Sequence, residues 1–259
     1  MKKLRKNLAI LMATTIFTVC VTGVSSGETV IDENVSVKAN SSGIAVSSGM
    51  PNGDREMTPQ EYADYMASFS NEDLQRIAEK TAEAERLANQ PRPRASSMTQ
   101  LSGFSVYRQS TDTYCVPATA RTIVQYVLGT SDSQATIASD MGYPNGMVPR
   151  ANLSTYLQTK ILNYWYIYTA HTNQSAMTTR IRYAVVSFGK PAAMSVTATT
   201  TANWGYTTNG HTLAVHGIQT DDSIIRFADP WGGFGGNAHP SFFNRESSSV
   251  ANVSNGVTW

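Results

Sequence analysis

The sequence predicts an α+β domain in which helices come first and an antiparallel sheet follows. Two observations carry this. Between residues 115 and 160 apolar residues recur at intervals of three and four, the mark of helices with one buried face. Beyond residue 190 come short apolar and β-branched runs joined by tight turns such as TDDS, which read as strands of an antiparallel sheet. The unit they compose, residues 98–259, is long enough to bury its own core.

Ahead of that unit the composition changes twice. Residues 1–26 have the three parts of a secretory signal: a basic start, KKLRK, an apolar run, LAILMATTIFTVCV, and small residues, TGVSSG. The apolar run is short for a membrane span, so export with cleavage is expected and no stable membrane anchor. A lipoprotein reading of Cys20 is set aside because Val19 is bulky where such signals carry a small residue. Residues 27–97 are expected to form a pro-segment. Its first part, to residue 53, is rich in Ser, Gly, Val and Asn without a period, and reads as mobile or weakly extended. Two helices follow: Thr58, Pro59 and Glu61 make one N-terminal signal, and Ser70 with Asp73 makes a second. The second helix carries a stripe of Leu74, Ile77, Ala78, Thr81, Ala84, Leu87 and Ala88 that needs a partner surface. The stretch QPRPR, residues 90–94, ends it and exposes two arginines to proteases. The competing reading keeps these helices as a permanent part of the fold.

Within the main unit a helix runs from Cys115 to Gly129, a natural C-cap. Further helices are expected over 133–143, around Ile137 and Met141, and over 150–160, around Leu153, Tyr156 and Leu157. The aromatic run 164–170 reads as a strand, 174–188 as a last helix, and 191–198, 211–220 and 223–230 as three strands. A polar stretch, 197–210, either lines a cleft with Trp204 as a contact or forms a flexible loop.

With 20 basic and 19 acidic residues the charge is nearly balanced, which excludes nucleic acid as a partner by charge. Removal of the signal takes Cys20 with it and leaves one thiol, Cys115, unable to form an internal disulfide. A lone cysteine in an exported protein calls for a reason, and one at a helix start has an environment that favours thiolate. The bland reading is a small buried hydrophobe. A cysteine nucleophile needs an imidazole to take its proton and a group to orient that imidazole. His211 follows Gly210 at a strand edge, and Asp229 ends the next strand; a turn near 221 places both at the same end of adjacent strands. His216, five residues on, points to the opposite face, and His171 and His239 fall in loops with nothing to single them out. Taken alone, Asp229 could be a turn residue before proline and His211 an edge histidine without a role. Gln109, six residues before Cys115, carries an amide that could join the Cys115 N–H in holding an oxyanion. No metal ligand spacing surrounds His211 or His216, so neither metal nor cofactor is expected.

The stretches QSTDTYCVPATA, GHTLAVHGI and ADPWGG together resemble the papain-like cysteine peptidases, closest to the C39-like subgroup, over residues 101 to about 236. The resemblance implies a papain-like fold, with N-terminal helices packed on an antiparallel sheet. It also implies Cys115 as nucleophile, His211 as general base and acid, Asp229 as its orienter and Gln109 as oxyanion donor. Val116 and His216 depart from the family pattern without removing a catalytic atom. The best-known branch is fused to a membrane transporter and cuts leader peptides, a substrate that does not carry over. The expected protein is a secreted cysteine peptidase made as a zymogen, with a peptide or protein as substrate and its own pro-segment as intramolecular inhibitor or chaperone. Two alternatives stay open: an acyl transferase or cell-wall amidase with the same triad, and an inactive binding module on the same scaffold.

Overall fold

The computed structural model describes residues 27–32, 53–91, 95–144, 147–171, 173–197 and 199–259. The expected export signal lies outside the described residues, as do 33–52 and 92–94 of the expected pro-segment.

Strand β1 (Thr29–Ile31) pairs in parallel with residues 105–107, and Glu28 beside it grips Arg226 through two 2.7 Å hydrogen bonds. The start of the expected pro-segment thus holds a short strand, although its sequence has no period. Strand β2 (Asp54–Arg55) precedes two capped helices. In α1 (Pro59–Ala67) Thr58 and Glu61 satisfy each other's backbone N–H, and in α2 (Asn71–Ala88) Ser70 and Asp73 do the same. Strands β3 (Met98–Gln100) and β4 (Ser105–Tyr107) lead to α3 (Cys115–Leu128), which ends as expected at left-handed Gly129. Then come α4 (Gln134–Asp140), β5 (Val148–Pro149), α5 (Arg150–Lys160) and β6 (Tyr168–Ala170). Helix α6 (Gln174–Arg182) passes into a wider π turn over Tyr183–Ser187, where one uniform helix was expected.

The chain closes with β7 (Ala192–Val196), the short α7 (Thr201–Trp204), β8 (His211–Gln219), β9 (Ile224–Ala228), β10 (Phe242–Glu246), α8 (Ser247–Ala251) and β11 (Ser254–Thr258). The main sheet runs β10-β9-β8-β7-β11-β6 with antiparallel neighbours, and β3 pairs with the last residues of β8, beyond the end of β7. Residues 211–218 of β8 are all buried, so both faces of the central strand are covered. Helix α3 is tied to it by the Thr119 hydroxyl, which donates to the Thr212 carbonyl at 3.0 Å. Ile123, Leu157, Ile181, Leu213 and Phe227 fill the space between helices and sheet. Trp259 is buried with them and donates to the Thr169 hydroxyl at 2.6 Å; removing such a ring costs about 3–5 kcal/mol.

Helix α2 packs on this body with Ala84 buried and Ile77, Thr81 and Leu87 half-buried, but Leu74 and Ala78 of the expected stripe face solvent. The face is re-centred by Lys80. Its ammonium donates to the carbonyls of Trp165 and Trp259 at 2.8 and 2.7 Å and lies over the Tyr164 and Trp259 rings, while its stem serves as apolar surface. Burial, with Arg76 nearby, draws its pKa down to about 7. Trp204 fits neither expectation: it is buried, edge-on to Phe227 and Phe243, and anchors its stretch in the core.

Candidate active site

Cys115 opens α3, fully buried, with its own backbone N–H among those a helix start leaves unpaired. His211 opens β8. Because Ala214 stands opposite Ala228 in the β8–β9 hairpin, the residue after β9 returns to the start of β8, and that residue is Asp229. Its Oδ1 lies 2.7 Å from His211 Nε2. With Nε2 committed to the carboxylate, Nδ1 is the ring atom left for the Cys115 thiol; it is buried without a hydrogen-bond partner among the described residues, and Cys115 is near enough to help raise the ring's pKa.

The electrostatics are decided by opposing causes. Burial alone would push His211 down, but the Asp229 charge and hydrogen bond, with Cys115 adding to them, raise it to about 10. Burial would raise Asp229, yet the His211 charge and hydrogen bond, joined by His239, hold it well below the usual carboxylate range. The ring is therefore an imidazolium at neutral pH, the form that stabilises a neighbouring thiolate.

Asp229 has more partners than the sequence revealed. The Trp231 backbone N–H donates to Oδ1 at 2.8 Å, the Tyr206 hydroxyl to Oδ2 at 2.8 Å, and His239 Nε2 stands 3.4 Å from Oδ2. Burial and then the Asp229 charge push the Tyr206 phenol well above its ordinary value, so it remains a donor. Both residues lie in loops that only the tertiary fold brings to the carboxylate, and no local pattern announces them. His216, by contrast, is a packed residue, stacked on Phe104 at 4.7 Å.

Gln109 is buried on the loop before α3. Its backbone N–H donates to the Pro230 carbonyl at 2.9 Å, which joins this loop to the Asp229 turn. The buried Gln134 props the same loop from below, accepting from Ser110 N–H and donating to the Arg108 carbonyl. Gln109 Nε2 donates to the Thr111 carbonyl at 2.7 Å, and a primary amide carries a second N–H for an oxyanion.

The thiol is covered. Gly53 lies so close that a Cβ there would stand 2.9 Å from Cys115 Sγ and 1.9 Å from the Thr113 carbonyl oxygen. The Val148 N–H donates to the Gly53 carbonyl at 2.9 Å, and β2 pairs in parallel with β5. On the other side a Cβ on Gly210 would meet the Asp54 carbonyl oxygen at 1.7 Å, so glycine before His211 permits this approach.

The Peptidase_C39 like family matches residues 101–247, more than half of the chain. The chain belongs to this family. No curated protein matches. Among solved structures, this C39-like chain is similar to the peptidase domain of ComA, a bifunctional ABC transporter of Streptococcus involved in quorum sensing. The identity is 12%, over 60% of this chain and 95% of that one, with a TM-score of 0.43. It is also similar to xylellain, a cysteine protease from Xylella fastidiosa, at 12% identity over 65% and 89% of the two chains, with a TM-score of 0.41. All four residues expected to form the site fall inside the matched family region.

Proposed function

We propose that this C39-like chain is a secreted cysteine peptidase made as a zymogen, acting through Cys115, His211 and Asp229 with Gln109 as oxyanion donor. The observation that carries the reading is the buried His211–Asp229 pair at 2.7 Å, which keeps the imidazole charged beside the one thiol of the unit. The Cys115 thiolate attacks the carbonyl carbon of the substrate amide. Negative charge gathers on the carbonyl oxygen between the Cys115 N–H and the Gln109 amide. His211 gives its proton to the leaving amine, and a thioester remains on Cys115. The neutral ring then takes a proton from water, whose oxygen attacks the thioester and releases the acid and the thiolate.

The zymogen part rests on the cover over the thiol. Residues 53–55 lie across Cys115, between β5 and the residue before His211, and α2 is docked through Lys80. A substrate cannot reach the sulfur while they stay. Cutting near 90–97 and dissociation of the segment would open the cleft. Among the described residues no helix is long and apolar enough to cross a membrane. The test is hydrolysis of a peptide library by the processed protein and its Cys115→Ala variant. Loss of all turnover is expected, and undiminished hydrolysis would refute the assignment.

A further inference from the structure

Asp54, next to Gly53 in the cover over Cys115, occupies a site of its own. Asp54 and Arg150 are both fully buried, with Arg150 Nε 3.2 Å from Asp54 Oδ2. Burial pushes the Asp54 carboxyl up, and the Arg150 charge, then the nearby Ser195 and Thr212 hydroxyls and the His211 charge, act against that rise; Asp54 Oδ1 is buried without a hydrogen-bond partner among the described residues. Arg150 starts α5 directly after β5, and its Nη1 donates to the Asn255 side-chain oxygen, which fixes the guanidinium in place. Its Nη2 is buried without a hydrogen-bond partner among the described residues. The guanidinium, Ser195, Thr212 and Asn255 all belong to the main unit. The carboxylate they surround comes from the segment before it.

A buried ion pair is a poor source of net stability, whereas a buried guanidinium that has lost its partner is costly. Arginine presents a rigid fork suited to a carboxylate, and a neutral amide offers it a single acceptor oxygen and no charge. The backbone of 53–54 lies where a substrate would have to lie, bridged to Val148 on one side and to Gly210 on the other, with its Gly against the sulfur. We propose that Arg150, with Ser195 and Thr212, forms a subsite for the carboxylate of an acidic substrate side chain beside the reactive thiol. Asp54 fills this subsite in the uncut chain. The inference rests on the peptidase reading for its meaning, but it is a statement about binding and is tested as one.

The experiment uses the full chain opened by Gly53→Ala with Asp54→Ala, and two blocked peptides that differ only in a central Gly-Asp or Gly-Asn. The readout is protection of Cys115 from iodoacetamide, followed by mass spectrometry. The opened chain should alkylate faster than the unaltered one; an unchanged rate would overturn the premise that 53–54 cover the thiol. The Gly-Asp peptide should protect about tenfold better than the Gly-Asn peptide. Equal protection would overturn the subsite. Arg150→Met in the opened chain should make the two peptides equal, with a thermal melt as the check on folding. If that variant unfolds, Arg150→Lys keeps the charge without the fork and should weaken the preference. An undiminished preference in whichever variant folds would overturn the role of Arg150. An opened chain that shows the preference yet hydrolyses no peptide contradicts the peptidase reading and leaves the subsite standing.

Discussion

Replacing Asp229 with Asn keeps the shape of the side chain and removes the charge that decides the state of His211. In the native site burial draws this ring down, and the carboxylate 2.7 Å away, helped to a smaller extent by Cys115, draws it up and wins, to about 10 from an ordinary 6.5. That difference corresponds to on the order of 5 kcal/mol in favour of the protonated ring, comparable to the whole stability of a small domain. Without the charge, burial prevails and the ring should titrate below 6.5. The consequence for stability has a definite sign. The folded value lies above the unfolded one, so the stabilisation is complete below pH 6.5 and is lost as pH rises through about 10. In Asp229→Asn this decline with rising pH should flatten. The assay is an imidazole NMR titration of histidine-labelled protein, with His211→Asn to assign the resonance, alongside urea unfolding across the same pH range. A His211 ring that stays protonated at pH 8 in the Asp229→Asn variant would refute the reasoning.

The partners of Asp229 and the cover over the thiol give two further outcomes. Tyr206→Phe removes a 2.8 Å hydrogen bond to a charged acceptor and should cost about 1.5–3 kcal/mol by urea unfolding, with no change at all counting against its role on the carboxylate. Gly53→Ala alone places a methyl group 1.9 Å from the Thr113 carbonyl oxygen, so the segment must lift and Cys115 alkylation should rise about tenfold or more; a rate equal to that of the unaltered chain would mean that the contact yields without releasing the thiol.

What the sequence reveals and what it hides divide along local and non-local lines. The two capping boxes at Thr58 and Ser70, the left-handed stop at Gly129 and the inward residues Ile137, Leu153 and Leu157 are each written within a few neighbouring residues, and each stands as expected. The same holds for the approach of His211 and Asp229, because hairpin register follows from counting residues to a turn. Run 164–170 reads as a strand, yet only Tyr168–Ala170 form the β6 ladder; Tyr164 and Tyr166 pack their rings together at 4.8 Å instead. Strands β10 and β11 are not legible locally, since FFNRE and SNGVT mix polar and small residues whose burial depends on the neighbouring strand. Tyr206 and His239 reach Asp229 from loops 23 residues before it and 10 after, and Asp54 meets Arg150 across 96 positions. Nothing in a window of sequence encodes such meetings. The Lys80 stem on α2 shows the same limit, because a charged residue in an apolar face becomes legible only when the aromatic surface opposite it is known.

The central claim, that Cys115 is the nucleophile activated by His211, is tested most directly by rapid-quench mass spectrometry of the processed protein with a peptide substrate. The account predicts a covalent adduct on Cys115 whose mass is that of the acyl half of the substrate, formed as the amine half is released and absent in His211→Ala. Turnover that proceeds with Cys115 unmodified, or with the adduct on another residue, would contradict it.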